Sequence, residues 1–393
     1  MERIDTLVEF FSDNTINNVL GAFAFAPRRV VFLTDHHKEE EQRQRTLRAL
    51  SSRLPETEVR FFEVEDEKLE TIDSALEELW RAYPGAVFDF TGGSETVLLS
   101  SFAFAVRREV PMMHIHMESH SLIDIQGCQR LAETFVFPRL TLEDHLNMHG
   151  AFLTGVGYEP PSDEYRERLR GFCELVLSDQ HKWKAQCLYI QMAAARTRDL
   201  QVDNLLEFRT AAGMAVPGDL NYLRKLEKIG MIEELRVRGT RVRFRFPDVQ
   251  IKQCLCDSGK WLELMTYLLL KDSGRFHDVR MSVRIGWGEQ EEQTKGTAYN
   301  EIDVIACAGI TPLFISCKSG LPNPNSMNEI LVYARKFGGA RAKAAMVTSS
   351  EISHGFVGLR KRAVDLGTVI VDESDIKDGL AQGMLLELLD SKT

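Results

Sequence analysis

The chain has 393 residues, is 44% hydrophobic and 27% charged, and carries a net charge of -10. Its length exceeds one ordinary core and calls for two or three domains, its composition is globular rather than disordered, and its charge argues against a general nucleic-acid-coating protein. No apolar run is long enough for a bilayer, the start MERIDTLVEF is acidic with no signal-peptide core, and seven mostly scattered cysteines fit reduced thiols, so a cytoplasmic protein is expected.

In chain order, a strand at Ile4–Phe11 precedes a helix from about Thr15 to Ala24, and a strand at Arg29–Thr34 precedes a helix over the charged stretch 38–52. A strand at Glu58–Val64, a helix near 67–82, a strand at Ala86–Phe90, a helix over 94–109 and a strand over 111–117 follow. This alternation predicts an α/β unit whose parallel sheet is wrapped by helices. Ligands of such sheets sit beyond the carboxyl ends of the strands. Two loops lie there. Ser12-Asp13-Asn14 follows the first strand and can cap the next helix. Thr91-Gly92-Gly93-Ser94 follows the fourth; its glycines let backbone approach a ligand, and its N–H groups open a helix N-terminus, which favours anions. A simple turn and an N-cap account for the same residues without a ligand. His114, His116 and His120 have no clearly paired acid and read as structural.

Gly155, Gly157, Pro160 and Pro161 mark a boundary within 150–162. Helices are expected at about 163–178 and 181–196, and 203–246 reads as helix, Gly-Pro turn, helix and ribbon, a winged-helix-like order. Leu223 and Leu226 fall at helical spacing before a stop at Gly230. In the ribbon, Arg236, Arg238, Arg241, Arg243 and Arg245 alternate with Leu235, Val237, Val242, Phe244 and Phe246. A face of arginines suits phosphates, and it equally suits a solvated hairpin or a subunit contact with acidic residues. Cys254 and Cys256 lack a second pair at zinc-finger spacing and read as buried thiols.

The segment NEIDVIACAGITPLFISCK, residues 300–318, predicts a β-hairpin turning at Gly309-Ile310, with Asp303 opposite Ser316 and Glu301 opposite Lys318. One face then carries Ile302, Val304, Ala306, Leu313, Ile315 and Cys317; the other gathers two carboxylates and an ammonium at one end. Such a cluster positions a divalent metal and a water for phosphodiester hydrolysis, or forms a cross-strand ion pair on a solvated face. Before it, 259–271 predicts a helix apolar on nearly every side, holding Glu263, whose partner is a metal shared with Asp303 or a neighbour such as Lys260 or Tyr267. After it come a helix at Asn328–Phe337, a stop at Gly338-Gly339 and a strand at Ala344–Val347. Helix, hairpin, helix, strand is the core order of restriction-endonuclease-like folds.

Glu263 in WLE, Glu301-x-Asp303, the ISCK run to Lys318 and KFGGARAKAAMV resemble the PD-(D/E)XK nuclease domain of CRISPR ancillary nucleases. In that family a CARF domain, a Rossmann-like sensor of cyclic oligoadenylates, precedes the nuclease, and the loops SDNT and TGGSE fall where such sensors grip their ligand. The resemblance implies a CARF domain at 1–150, a helical and winged-helix-like linker at 151–250 and a restriction-endonuclease-like α/β domain at 251–393. It implies a homodimer that binds cyclic tetra-adenylate on its two-fold axis, through Ser12, Asn14, Thr15, Thr91, Gly92, Gly93 and Ser94. Binding would switch on cleavage of DNA, RNA or both with Mg²⁺ or Mn²⁺. Glu263, Asp303 and Glu301 match the catalytic metal carboxylates, and Lys318 the lysine that orients the attacking water. Two positions depart from the pattern: Ser316 stands where an acid is expected, with Glu301 or Glu329 as replacements, and Glu95 stands where a lysine is common. A degenerate domain would leave the other reading, a ligand-sensing winged-helix transcriptional regulator.

Overall fold

The computed structural model describes residues 4–35, 40–64, 68–160, 162–195, 199–287, 299–352 and 357–391. The chain divides into two compact units, Met1–Phe152 and Leu153–Thr393. The second takes in both the winged-helix-like segment and the hairpin.

In the first unit, β1 (Thr6–Phe10), a 3-10 turn at Thr15–Asn18, α1 (Leu20–Phe25), β2 (Arg29–Asp35), α2 (Glu40–Arg53), β3 (Glu58–Val64), α3 (Leu69–Ala82), β4 (Val87–Asp89), α4 (Glu95–Arg108) and β5 (Met112–His116) alternate. β6 (Ser121–Gln126), α5 (Gln129–Thr134) and α6 (Leu142–Met148) complete it. The sheet order is β3-β2-β1-β4-β5-β6, with β6 alone antiparallel. Val8, Phe10, Val31, Leu33 and Phe88 bury one face under Ile72, Leu76 and Leu79 of α3 and Val97, Phe104 and Ala105 of α4. Each such side chain contributes roughly 1.5–3 kcal/mol by leaving water. The strand order turns back between β1 and β4, which is where such sheets open a ligand crevice.

Two expectations need correction here. The helix expected over about Thr15 to Ala24 is broken into the 3-10 turn and α1, because Asn18 turns inward to bind Ser12 N and O and caps the loop instead of continuing the helix. The strand β6 was not foreseen; it returns along β5 through a tight turn in which His120 takes φ +52.

The second unit contains β7 (Ala151–Val156), α7 (Arg166–Ser178), α8 (Gln180–Ala194), β8 (Gln201–Leu205), β9 (Glu207–Arg209), β10 (Ala215–Pro217), α9 (Leu220–Ile229), β11 (Glu233–Arg238), β12 (Arg241–Arg245) and α10 (Val249–Leu255). Then come α11 (Lys260–Asp272), β13 (Asp278–Trp287), β14 (Asn300–Ala308), β15 (Thr311–Lys318), α12 (Pro324–Gly338), β16 (Lys343–Thr348), α13 (Val357–Asp365), β17 (Val369–Val371), α14 (Glu373–Lys377) and α15 (Ala381–Asp390). The main sheet runs β17-β16-β15-β14-β13-β7. Its inner residues Val304, Ala306, Leu313, Ile315, Ala345 and Val347 share one core with Leu262, Leu264 and Leu268 of α11. The same core continues to Phe172, Trp183, Leu223, Val242, Phe244 and Phe246, so the winged-helix-like segment and the hairpin sheet are packed as one body.

The helix expected at the start of 203–246 is instead the strands β8, β9 and β10. β8 pairs with β12, so the arginine ribbon is the edge of a three-stranded sheet, β11-β12-β8. Val202 and Phe208 are buried between exposed neighbours, a period of two in pieces too short to announce itself. Among the described residues, no helix is long and apolar enough to cross a membrane.

Candidate active site

The hairpin turns as its glycine demands. Gly309 takes φ +59, and the ladder closes with Ala308 opposite Thr311 and Val304 opposite Ile315. That register sets Asp303 beside Ser316, whose hydroxyl donates to Asp303 Oδ2 at 3.2 Å; the Cys317 N–H donates to the same oxygen at 2.6 Å. The backbone of the neighbouring strand thus fixes the carboxylate. Burial raises the Asp303 carboxyl above its ordinary value, while the Cys317 bond and the Lys318 charge pull the other way. The Lys318 carbonyl accepts from Ser349 N at 3.1 Å, which ties down the end of β15. Among the described residues no hydrogen bond holds the Lys318 ammonium.

Glu263 arrives from the first turn of α11. Its Oε2 accepts from Lys260 Nζ at 2.7 Å, one helical turn back, and from Ser282 Oγ at 2.9 Å; Lys260 Nζ also lies 2.9 Å from Ser282 Oγ. Burial pushes Glu263 up to about 7, and the Asp303 charge adds to this, against the opposing pull of Lys260. Burial draws the Lys260 ammonium down, but Glu263 more than offsets it, and the net shift is upward. An ion pair alone would lower the carboxyl; its own burial first, and the Asp303 charge after it, outweigh that pull. The neighbour anticipated for Glu263, Lys260, is therefore present, and Asp303 acts on Glu263 electrostatically.

Glu301 sits further out, half in solvent, where Arg284 Nε meets its Oε2 at 3.3 Å. Glu329 is exposed and accepts from Tyr333 OH at 2.8 Å. Among the described residues no three His, Cys, Asp or Glu side chains gather closely enough to cage a metal. Two half-buried carboxylates do fit a hard cation that keeps several waters and draws its remaining ligands from phosphate. Ser316→Asp tests this fit. It is expected to lower the melting temperature without metal, by adding a third acid, and to recover more stability in Mn²⁺ than the parent does, as thermal melts with and without the ion would show.

Sequence reasoning did not assign Ser282 or Tyr158. Ser282 lies in mid-strand at φ +51, and its carbonyl accepts from Gly157 N at 2.7 Å. Lys260 Nζ lies 5.6 Å from the centre of the buried Tyr158 ring. Neither position has a sequence signature, since both depend on partners brought by the fold.

In the first unit the two candidate loops lie side by side. A β-carbon at Gly92 would come within 3.0 Å of Ser12 Cβ and 2.8 Å of Asn17 Cβ, so only glycine lets them touch. Asn14 is exposed, Ser12, Gly93 and Ser94 are half-buried, and Gly92 and Thr15 are buried. Ser94 caps α4, accepting from Val97 N. Thr91 N donates to Asp89 Oδ1 at 2.9 Å, its hydroxyl donates to the same oxygen, and Ile115 N donates to Thr91 Oγ1. Glu95 lines the cleft between α3 and α4 with Leu69, Asp73 and Leu99. His114 meets the Phe90 carbonyl, His116 meets Ser119, and His120 stacks on Phe137.

Beneath these loops, Glu9 and Asp89 pair across β1 and β4. Both are fully buried, Ala22 N donates to Glu9 Oε1 at 3.2 Å, and a β-carbon at Gly21 would fall 2.3 Å from Asp89 Oδ2. Among the described residues neither Glu9 Oε2 nor Asp89 Oδ2 has a hydrogen-bond partner. Burial, then the mutual charge, raises Glu9 well above its ordinary value, and burial takes Asp89 to about 6.

Residues 250–384 match the family model described as Card1-like, endonuclease domain. That match covers the C-terminal part of the chain, and the fold of the whole chain has solved counterparts. Its fold is similar to that of protein VC1899 from Vibrio cholerae, with a TM-score of 0.71 and 18% identity over 98% of both chains. It is also similar to Can2 from Sulfobacillus thermosulfidooxidans, solved in complex with cyclic tetra-adenylate, with a TM-score of 0.64 and 20% identity over 98% of this chain and 100% of the other. No curated protein sequence matches the chain significantly. The endonuclease domain encloses Glu263, Asp303, Ser316 and Lys318.

Proposed function

We propose that the chain is a nuclease of type III CRISPR defence, activated by a cyclic oligoadenylate, with cyclic tetra-adenylate as the activator and Mg²⁺ or Mn²⁺ as the metal, cutting DNA, RNA or both. The observation that carries the reading is that half-buried Glu263 and Asp303 lie within electrostatic reach of each other, flanked by Lys260 and Lys318, inside a Card1-like endonuclease domain. The cation, held by Glu263 and Asp303, would supply Lewis acidity at the phosphate. Lys318, whose ammonium has no hydrogen bond among the described residues, is placed to meet the phosphate charge and orient the attacking water. Lys260 offsets the charge of Glu263 until the cation arrives. Glu301 supports the site from its rim through Arg284.

The activator reading draws on the adjacent loops at the switch point between β1 and β4, Ser12, Asn14 and Thr15 on one and Thr91 to Ser94 on the other, and on Can2 having been solved with cyclic tetra-adenylate. The homodimer reading draws on α4, which leaves Leu99, Phe102 and Val106 exposed on a helix of the same unit. We assign 1–150 to the sensor, 151–250 to the winged-helix-like linker and 251–393 to the nuclease.

The test is a cleavage assay on supercoiled plasmid and labelled single-stranded RNA, with Mn²⁺ or Mg²⁺, with and without cyclic tetra-adenylate, beside Lys318→Ala. Cutting is expected only with both metal and activator, and not with the variant. No cutting by a protein that binds the activator in calorimetry would favour the transcriptional regulator; neither cutting nor binding would leave the fold without this function.

A further inference from the structure

We infer that the exposed face of the β11-β12-β8 sheet is a track for the phosphate backbones of double-stranded DNA. β12 presents Arg241, Arg243 and Arg245 to solvent while burying Val242, Phe244 and Phe246 completely. β11 sets Arg236 directly opposite Arg243, and Arg238 directly opposite Arg241. Like charges facing each other across a ladder destabilise it, and the packing of this sheet is done by its other face. The facing arginines therefore cost the fold something that few contacts within the chain return.

Neutralisation within the chain is slight. Asp203 on β8 pairs with Arg241 at 2.8 Å, and the Gln201 amide meets the Arg243 guanidinium. Among the described residues no ion pair neutralises Arg236, Arg238, Arg243 or Arg245. In a chain of net charge -10 such a row is a local exception. Successive arginines on one strand stand roughly 6.7 Å apart and the two strands roughly 4.8 Å apart, so the guanidinium groups form a rigid grid. Arg243, Arg245 and Lys252, with the acids Asp199 and Glu234, also line a cleft of about 900 Å³ beside the sheet, which gives the grid a concave margin of mixed charge.

The face has no aromatic residue. Its other members are Gln201, Asp203 and Leu205 on β8 and Glu233, opposite Arg245, on β11, so it offers no platform on which unpaired bases stack. It reads charge and not sequence, which favours a duplex that keeps its bases inside and its phosphates outside. This deepens the nuclease reading and rests on it for why a duplex should be held.

The test uses the full chain carrying Asp303→Asn, in EDTA, so that binding is read without cutting. Anisotropy of a short labelled DNA duplex is followed across a salt series, for this protein and for the same protein with Arg236→Ala and Arg243→Ala. The double change is expected to weaken duplex binding about tenfold or more, with the slope of log K against log salt smaller by about 2. Its melting temperature is expected to hold or rise, because a facing like-charge pair is gone. Unchanged affinity and slope, no duplex binding by the parent, or a loss confined to single-stranded RNA would each overturn the inference. Cleavage by the otherwise native chain is scored separately. A chain that binds duplex through the arginines but never cuts would sink the nuclease reading and keep the track; one that cuts without needing them would do the reverse.

Discussion

Asp303→Asn and Lys318→Met are each expected to reduce metal-dependent cleavage by about 10²–10⁴-fold while leaving activator binding and the melting temperature close to those of the parent. Asparagine is the informative change at 303. The carboxylate accepts from the Cys317 N–H and the Ser316 hydroxyl, and an amide oxygen can keep both bonds while giving up the negative charge. Alanine would leave a buried N–H without its partner and mix a folding defect into the result. At 318, methionine keeps the length of the side chain and removes only the ammonium, whose recorded influence on Asp303 is electrostatic. Single-turnover cleavage with calorimetry of activator binding and a thermal melt separates the outcomes. Normal cutting by either variant would remove these residues from the chemistry.

Glu9→Gln is expected to make the protein more stable than the parent above neutral pH, and to flatten its dependence on pH. In the unfolded chain Glu9 and Asp89 ionise near their ordinary values of 4.5 and 3.8; in the folded chain Glu9 holds its proton far longer and Asp89 until about 6. As pH rises past the ordinary values, the unfolded form gives up protons that the folded form retains. Stability conferred at low pH is lost as pH climbs through the folded values, by on the order of 3 kcal/mol for a shift the size of that at Asp89. Glutamine has no proton to lose. Its oxygen can accept from Ala22 N and its amide can donate to the unpartnered Asp89 Oδ2. The difference between the two proteins, measured by denaturant unfolding from pH 4 to pH 8, isolates this pair from every other titrating group. Equal slopes would show that the two acids ionise independently of the fold.

The hairpin was legible because two local rules agree on it: a glycine able to turn, and strict alternation on either side. Asp303 and Ser316 meet as that register requires. The alternating first unit was legible because apolar runs take turns with the long helices α2 to α4, and even the three-residue β4 shows within the run Ala86–Phe90. β7 hides in a stretch whose glycines and prolines look like a boundary, and β8 to β10 are three to five residues each, below the length at which periodicity speaks. Glu9 and Asp89 were illegible for another reason. Each is an acid inside a short strand, and only the parallel pairing of β1 with β4, some eighty residues apart, brings them together. The Lys260 partner of Glu263 lay within reach of sequence reasoning, three residues away on one helix; the Ser282 partner did not.

Ser282 sets backbone ease against side-chain chemistry. A serine held at φ +51 in a buried strand carries backbone strain of about 1–3 kcal/mol that glycine would not. Glycine, however, has no hydroxyl to stand between Glu263 and Lys260. Backbone ease and the polar cluster therefore pull this one residue in opposite directions: Ser282→Gly would relax the strand and leave Glu263 Oε2 and Lys260 Nζ each one partner short.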